Sequence, residues 1–146
     1  MTRLPPRPRD ALGRPLARDS GVEIEPDPQP LTPAETLTVG QQLLDEGRAF
    51  RAHEVFEARW KASTGADREL WRGLAQIAVG VTHHQRGNRT GRAALLRRGA
   101  QSLAPYAGNA PYGVAVDALR AWSIEAADED ELPAMPRLMQ PSSEPG

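Results

Sequence analysis

Arg68-Glu69-Leu70-Trp71-Arg72-Gly73-Leu74-Ala75-Gln76-Ile77-Ala78-Val79-Gly80-Val81-Thr82-His83-His84-Gln85-Arg86 carries a helical period from end to end. Leu70, Trp71, Leu74, Ile77, Ala78 and Val81 fall on one broad side, and Gly73 and Gly80 stand seven apart on another. A helix that is apolar nearly all round belongs at the centre of its domain. Each glycine costs about 1 kcal/mol of helix propensity against alanine, so a pair at this spacing implies a groove where a second helix backbone comes close.

Working outward, Asp67 caps this helix behind the Thr64-Gly65 break, which ends an earlier helix running from Ala49 to about Ser63. Further upstream, Thr32-Pro33-Ala34-Glu35 combines a capping hydroxyl, a proline at the first helical position and a glutamate three residues beyond the cap. The helix it opens runs through Leu37, Val39, Leu43 and Leu44 to Gly47, which suits the C′ position. Downstream, Gly87-Asn88 closes the central helix and Thr90 caps a fourth, whose Ala93, Leu96, Ala100 and Leu103 repeat at 3-4-3 spacing until Pro105. Asn109-Ala110-Pro111 opens a fifth with Tyr112, Val116, Leu119 and Ser123 on one stripe and Ala115 and Trp122 beside it. No segment alternates as a strand, and no internal repeat is present. The expected fold is all-α, a compact bundle of four to five short, mostly antiparallel helices over residues 32–128. Flanking it are an extended, proline-rich tail over 1–31 and a flexible, acidic and proline-rich tail over 129–146.

Seven of the fourteen prolines lie in residues 1–30 and four lie from Pro133 onward, which leaves about 100 residues to fold. That is enough for one core and too little for a large α/β enzyme. Without cysteine there is no disulfide scaffold, thiolate zinc site or cysteine nucleophile. The longest apolar run, Leu74 to Val81, already contains Gln76 and Gly80, whereas a membrane span needs about 20 apolar residues. With no hydrophobic leader after the first arginines, a soluble, cytoplasmic protein without membrane contact is expected. Net charge is -1, yet no acid occurs from Leu70 to Val116, where Arg72, Arg86, Arg89, Arg92, Arg97 and Arg98 lie. Asp117, Glu125, Asp128, Glu129, Asp130 and Glu131 then follow against Arg120 alone, so a basic and an acidic side are expected.

On a wheel of about 100° per residue, Phe50, Phe56 and Trp60 of the second helix share a side with His53 and Glu57. His53 and Glu57 are one turn apart and are expected to meet inside the bundle, with Glu54 at the margin as a further acceptor. Buried ionisable groups need partners, and Gln76 and His83 of the central helix project from the facing side.

These residues resemble a known family. Phe50-Arg51-Ala52-His53-Glu54-Val55-Phe56-Glu57-Ala58-Arg59-Trp60, Arg72-Gly73-Leu74-Ala75-Gln76-Ile77-Ala78, and His83-His84-Gln85-Arg86-Gly87-Asn88 with Gly91 are similar, in this order, to the bacterial and archaeal family called domain of unknown function 309. The resemblance covers roughly residues 35–104. It implies a small helical bundle, the signature His53, Glu54, Glu57, Trp60, Gln76, His83, Gly87 and Asn88, and no established activity. Arg92 stands where the family usually has alanine, and Arg7 to Leu16 look like an extension found in part of the family.

Several functions fit this pattern. In one, His53, Glu57 and His83 hold a divalent metal such as zinc, manganese or iron, and Glu54 acts as general base towards its water, making a metal-dependent hydrolase. In a metal-free version, His53 works with Glu54 or Glu57 as an acid/base pair. In the alternative, the same residues form a structural hydrogen-bond network and the domain is a non-catalytic binding or assembly module. Arg86, Arg89 and Arg92 with Asn88 then offer a phosphate or an acidic segment a seat. No aromatic residue lies among those arginines, which argues against nucleic acid. Trp60, Trp71 and Trp122 are many indoles for so small a core and allow a homo-oligomer interface.

Overall fold

A computed structural model describes residues 13, 14 and 26–141. Most of the expected N-terminal tail, including all of Arg7 to Leu16 except Gly13 and Arg14, lies outside the described residues, as do residues 142–146. Five α-helices follow in order: α1 (Pro33–Asp45), α2 (Ala49–Ala62), α3 (Arg68–Gln85), α4 (Arg89–Leu103) and α5 (Val116–Ala126). Two short 3-10 turns, Ala104–Tyr106 and Pro111–Gly113, separate the last two. The described residues form no strand, and the all-α reading stands.

Local chemistry explains the helix ends. At α1 the expected reciprocal cap is present: Thr32 Oγ1 accepts from Glu35 N and Glu35 Oε1 accepts from Thr32 N, both at 3.2 Å. Gly47 closes the helix at φ +75°. At α4 the cap is Asn88, two residues before the expected Thr90, because its side chain accepts from Gly91 N at 2.9 Å. The fifth helix starts at Val116 instead of at Pro111, since Tyr112 adopts φ +55° and breaks the backbone. Its hydroxyl donates to Asp67 Oδ2 at 2.7 Å, while Trp71 Nε1 donates to the same oxygen at 3.3 Å. Asp67 therefore holds those two rings and makes no side-chain cap on α3. In its place Tyr106 takes the Leu70 amide at 3.1 Å and donates to the Ala66 carbonyl at 2.6 Å.

Each helix packs antiparallel to the next. Arg59, late in α2, bonds the Leu31 carbonyl before α1; Arg68 of α3 stacks on Trp60 late in α2, while Arg86 after α3 stacks on Phe50 early in α2. Along α3 and α4, Gly73 faces Leu103 and Gly80 faces Leu96. The groove expected from the two glycines is thus the seat of α4. A Cβ on Gly80 would lie 2.7 Å from Leu96, and one on Gly99 of α4 would lie 2.6 Å from Ile77 and 3.1 Å from the Gly73 carbonyl. Leu70, Trp71, Leu74 and Ile77 of α3, Leu96 and Leu103 of α4, and Phe56 of α2 are all fully buried.

The chain beyond α5 folds back on the bundle where a flexible end was expected. Leu138 is buried in the core, its amide donating to Gln41 of α1 and its carbonyl accepting from Ala115, both at 2.8 Å. Val114 and Met139 form an isolated antiparallel bridge, and Trp122 Nε1 donates to the Pro133 carbonyl. Such partners are distant in sequence, so local proline content does not reveal them. The acidic run joins α4 as well, with Asp128 on Arg97 and Asp130 on Arg89. Arg92 is buried, its guanidinium donating to the Glu129 carbonyl and to His84 Nδ1 at 3.0 Å. Guanidinium only donates, so this His84 nitrogen is the acceptor. The expected basic and acidic sides are largely folded onto each other, and Arg92 is withdrawn from any external phosphate.

No helix among the described residues is long and apolar enough to cross a membrane. Substituting Gly99→Ala should destabilise the protein by about 1–3 kcal/mol, because backbone as well as Ile77 must yield. Leu138→Ala should cost about 2–4 kcal/mol. Chemical denaturation measures both; a mobile C-terminal segment would leave the second protein as stable as wild type.

Candidate functional site

The core-facing side of α2 is built from Ala49, Ala52, Val55 and Phe56. His53, Glu57 and Trp60 therefore lie on its shoulder, along the seam with α3. The wheel reading placed His53 and Glu57 in the dry interior because it was weighted by the aromatic rings of Phe50 and Trp60, which are themselves only half-buried. The side chains of His53 and Glu57 are 19% and 32% exposed, so they border the interior.

The two meet as expected. His53 Nε2 lies 2.7 Å from Glu57 Oε2, and Glu57 Oε1 lies 2.6 Å from Lys61 Nζ, so one carboxylate joins three successive turns of α2. Burial pushes the Glu57 carboxyl up, but the Lys61 hydrogen bond and the nearby His53 and Lys61 charges outweigh it and hold the group below its ordinary value. An ionised Glu57 can only accept, which puts a proton on His53 Nε2. His53 Nδ1 is left buried beside the Phe50 ring with no hydrogen-bond partner among the described residues, and the same holds for the buried Trp60 Nε1.

Across the seam, α3 contributes Arg72, Ala75, Gln76 and Val79, and with His53, Glu57 and Trp60 they line a cleft of about 140 Å³. Arg68 and Arg72 lie 4.7 and 5.8 Å from the Trp60 ring centroid, on its cation-attracting face. Gln76 turns its carbonyl to the Ser102 hydroxyl of α4 at 2.6 Å, which leaves its amide NH₂ as a donor.

Four of the expected site residues are thus brought together: His53, Glu57, Trp60 and Gln76. The others go elsewhere. His83 sits at the α3–α4 turn, its Nδ1 3.2 Å from the Asn88 amide and its ring packed where a Cβ on Gly91 would stand. An amide nitrogen only donates, so His83 Nδ1 accepts and the ring is neutral; burial and then the Arg86 charge hold its pKa below the ordinary value. Asn88 caps α4, Arg86 lies over Phe50, and Glu54 pairs with Arg51 at 3.3 Å, none of them lining the cleft. Among the described residues, no three His, Asp or Glu side chains assemble as a metal-holding group. His53 and Glu57 are engaged with each other and with Lys61 within α2, whereas His83 is held by Asn88 at the α3–α4 turn. Sequence reading missed Lys61, Arg72, Ala75, Val79 and Ser102. Lys61 was visible as the i,i+4 partner of Glu57, and Arg72 as one turn from Gln76.

The fold and seam define the class, a small all-α bundle domain with a cleft between its second and third helices. Residues 37–95 match the family model described as Domain of unknown function (DUF309), the family that the motifs resemble. All seven cleft residues fall inside the match. No curated protein and no solved structure matches the chain.

The neutral His83 has a consequence for pH. Its folded pKa lies below the unfolded value of 6.5, so the stability it contributes is full above about pH 6.5 and is lost as pH falls towards the folded value. Thermal unfolding between pH 7.5 and 5.5 should show the melting temperature falling in wild type and falling less in His83→Gln. Equal slopes in the two proteins would contradict this assignment.

Proposed function

We propose that this domain is a non-catalytic binding module that takes a small polar molecule into the cleft between α2 and α3. The observation that carries this reading is the pair of buried, unpartnered polar atoms, His53 Nδ1 and Trp60 Nε1, on residues that border one cleft. A buried group left without a partner costs about 1–3 kcal/mol, and among the described residues that have such an atom, His53, Trp60, Gln85, Arg92 and Ser123, the first two border the cleft. Here the network closes on one side only: Glu57 is satisfied by His53 and Lys61, while the opposite nitrogen of His53 and the Trp60 indole remain open. A bound molecule would lie against these two residues, and the apolar flanks of Ala75 and Val79 would hold its body.

The divalent-metal reading has one supporting observation, the His53 Nδ1 that has no partner among the described residues. Glu57, His83 and Glu54, its other members, are engaged by Lys61, Asn88 and Arg51. Elemental analysis separates the two readings: a stoichiometric transition metal lost in His53→Ala supports the metal, and background levels in both proteins support the binding module.

The binding reading is tested by a fragment screen on ¹⁵N-labelled protein. Hits should move the amides of Ala75, Gln76 and Val79 together, and a cleft-filling Ala75→Phe variant that keeps its fold should lose at least tenfold in affinity for them. Hits scattered over the surface, or equally strong on the filled variant, would refute it.

A further inference from the structure

The groups bordering the cleft select a ligand chemistry. Resting on the binding site proposed above, we infer that the ligand is a small carboxylate, its oxygens received by Arg72 and Gln76 beside the Trp60 ring and its short hydrocarbon part by Ala75 and Val79. Hydrogen-bonding type comes first. The Gln76 carbonyl is occupied by Ser102, so its amide presents N–H groups, and the Arg72 guanidinium has donors alone. Both oxygens of Glu57, the one carboxylate in the lining, are already held by His53 and Lys61. An entering group therefore meets donors at this end, and it must be an acceptor.

Charge points the same way. Around the Trp60 end stand Arg68, Arg72 and Lys61 against Glu57 and Glu69, a setting that favours a negatively charged group. Arg72 is half exposed and only 3.6 Å from Glu69, a loose pairing that leaves its planar fork able to take a second, bidentate partner. Size then limits the ligand. A cavity of about 150 Å³ admits benzene, so the cleft of about 140 Å³ suits about six non-hydrogen atoms. Inorganic phosphate would leave the apolar flank of Ala75 and Val79 uncovered, whereas a short-chain carboxylate covers it.

Butyrate and its neutral isostere butyramide test this on the full chain. The readouts are the Trp60 indole resonance, assigned with Trp60→Phe, and the Gln76 side-chain amide. Butyrate should shift both saturably with at least tenfold higher affinity than butyramide, and Arg72→Gln should weaken butyrate about tenfold while leaving butyramide unchanged. Equal affinities for butyrate and butyramide, or phosphate binding as well as butyrate, would overturn the carboxylate while leaving the cleft a binding site. If neither organic probe moves the Trp60 indole at up to about 50 mM, the inference falls; a screen with no hits in the cleft removes the binding site with it.

Discussion

α3 and α4 touch backbone to side chain because Gly73, Gly80 and Gly99 carry no Cβ, and the rest of the molecule is arranged around that contact. Close approach lets Leu96 and Leu103 fill the grooves of α3, so the central helix is covered on that side. Its other side receives α2, whose small residues Ala49 and Ala52 let it lie close and turn His53, Glu57 and Trp60 towards the seam's edge. Gln76 links the two arrangements, bonding α4 through Ser102 while bordering the cleft against α2. The position of the cleft thus follows from where small side chains permit helices to meet.

Electrostatics are arranged within the chain. Glu57 is held by His53 and Lys61 on its own helix, and Asp128 and Asp130 lie on arginines of α4. Arg92, where the resembled family usually has alanine, pairs with no carboxylate among the described residues. Its buried guanidinium donates to a carbonyl and an imidazole, which are acceptors that keep it hydrogen-bonded without neutralising it. The bulk charge contrast along the sequence therefore describes how the chain holds itself together more than what it attracts.

Legibility followed the range of the interaction. The capping box at Thr32 and Glu35, the glycine turn at Gly47, the i,i+4 meeting of His53 with Glu57 and the groove along α3 were all readable, because each is set by neighbours within two turns. The unread features depend on distant partners. Tyr112 breaks the fifth helix where Asp67 receives its hydroxyl, Leu138 is buried through Gln41 and Ala115, and Arg92 meets Glu129. In the site, the sequence paired His53 with Glu57 but also drew His83 into their company, since seven residues along a helix returns a side chain to nearly the same face. Asn88 holds His83 at the turn, and that bond depends on where α4 begins. The open nitrogens of His53 and Trp60 were invisible for another reason: an absent hydrogen bond has no sequence pattern.

The recurring family segment stops at Leu95, in the middle of α4, and the residues that cover α3 lie just past it: Leu96, Gly99 and Leu103. Evolutionary unit and folding unit are consequently of unequal length. A fragment excised at the limits of the match would carry every cleft residue yet leave Ile77 and Leu74 naked to water, and such a piece would clump before it bound anything.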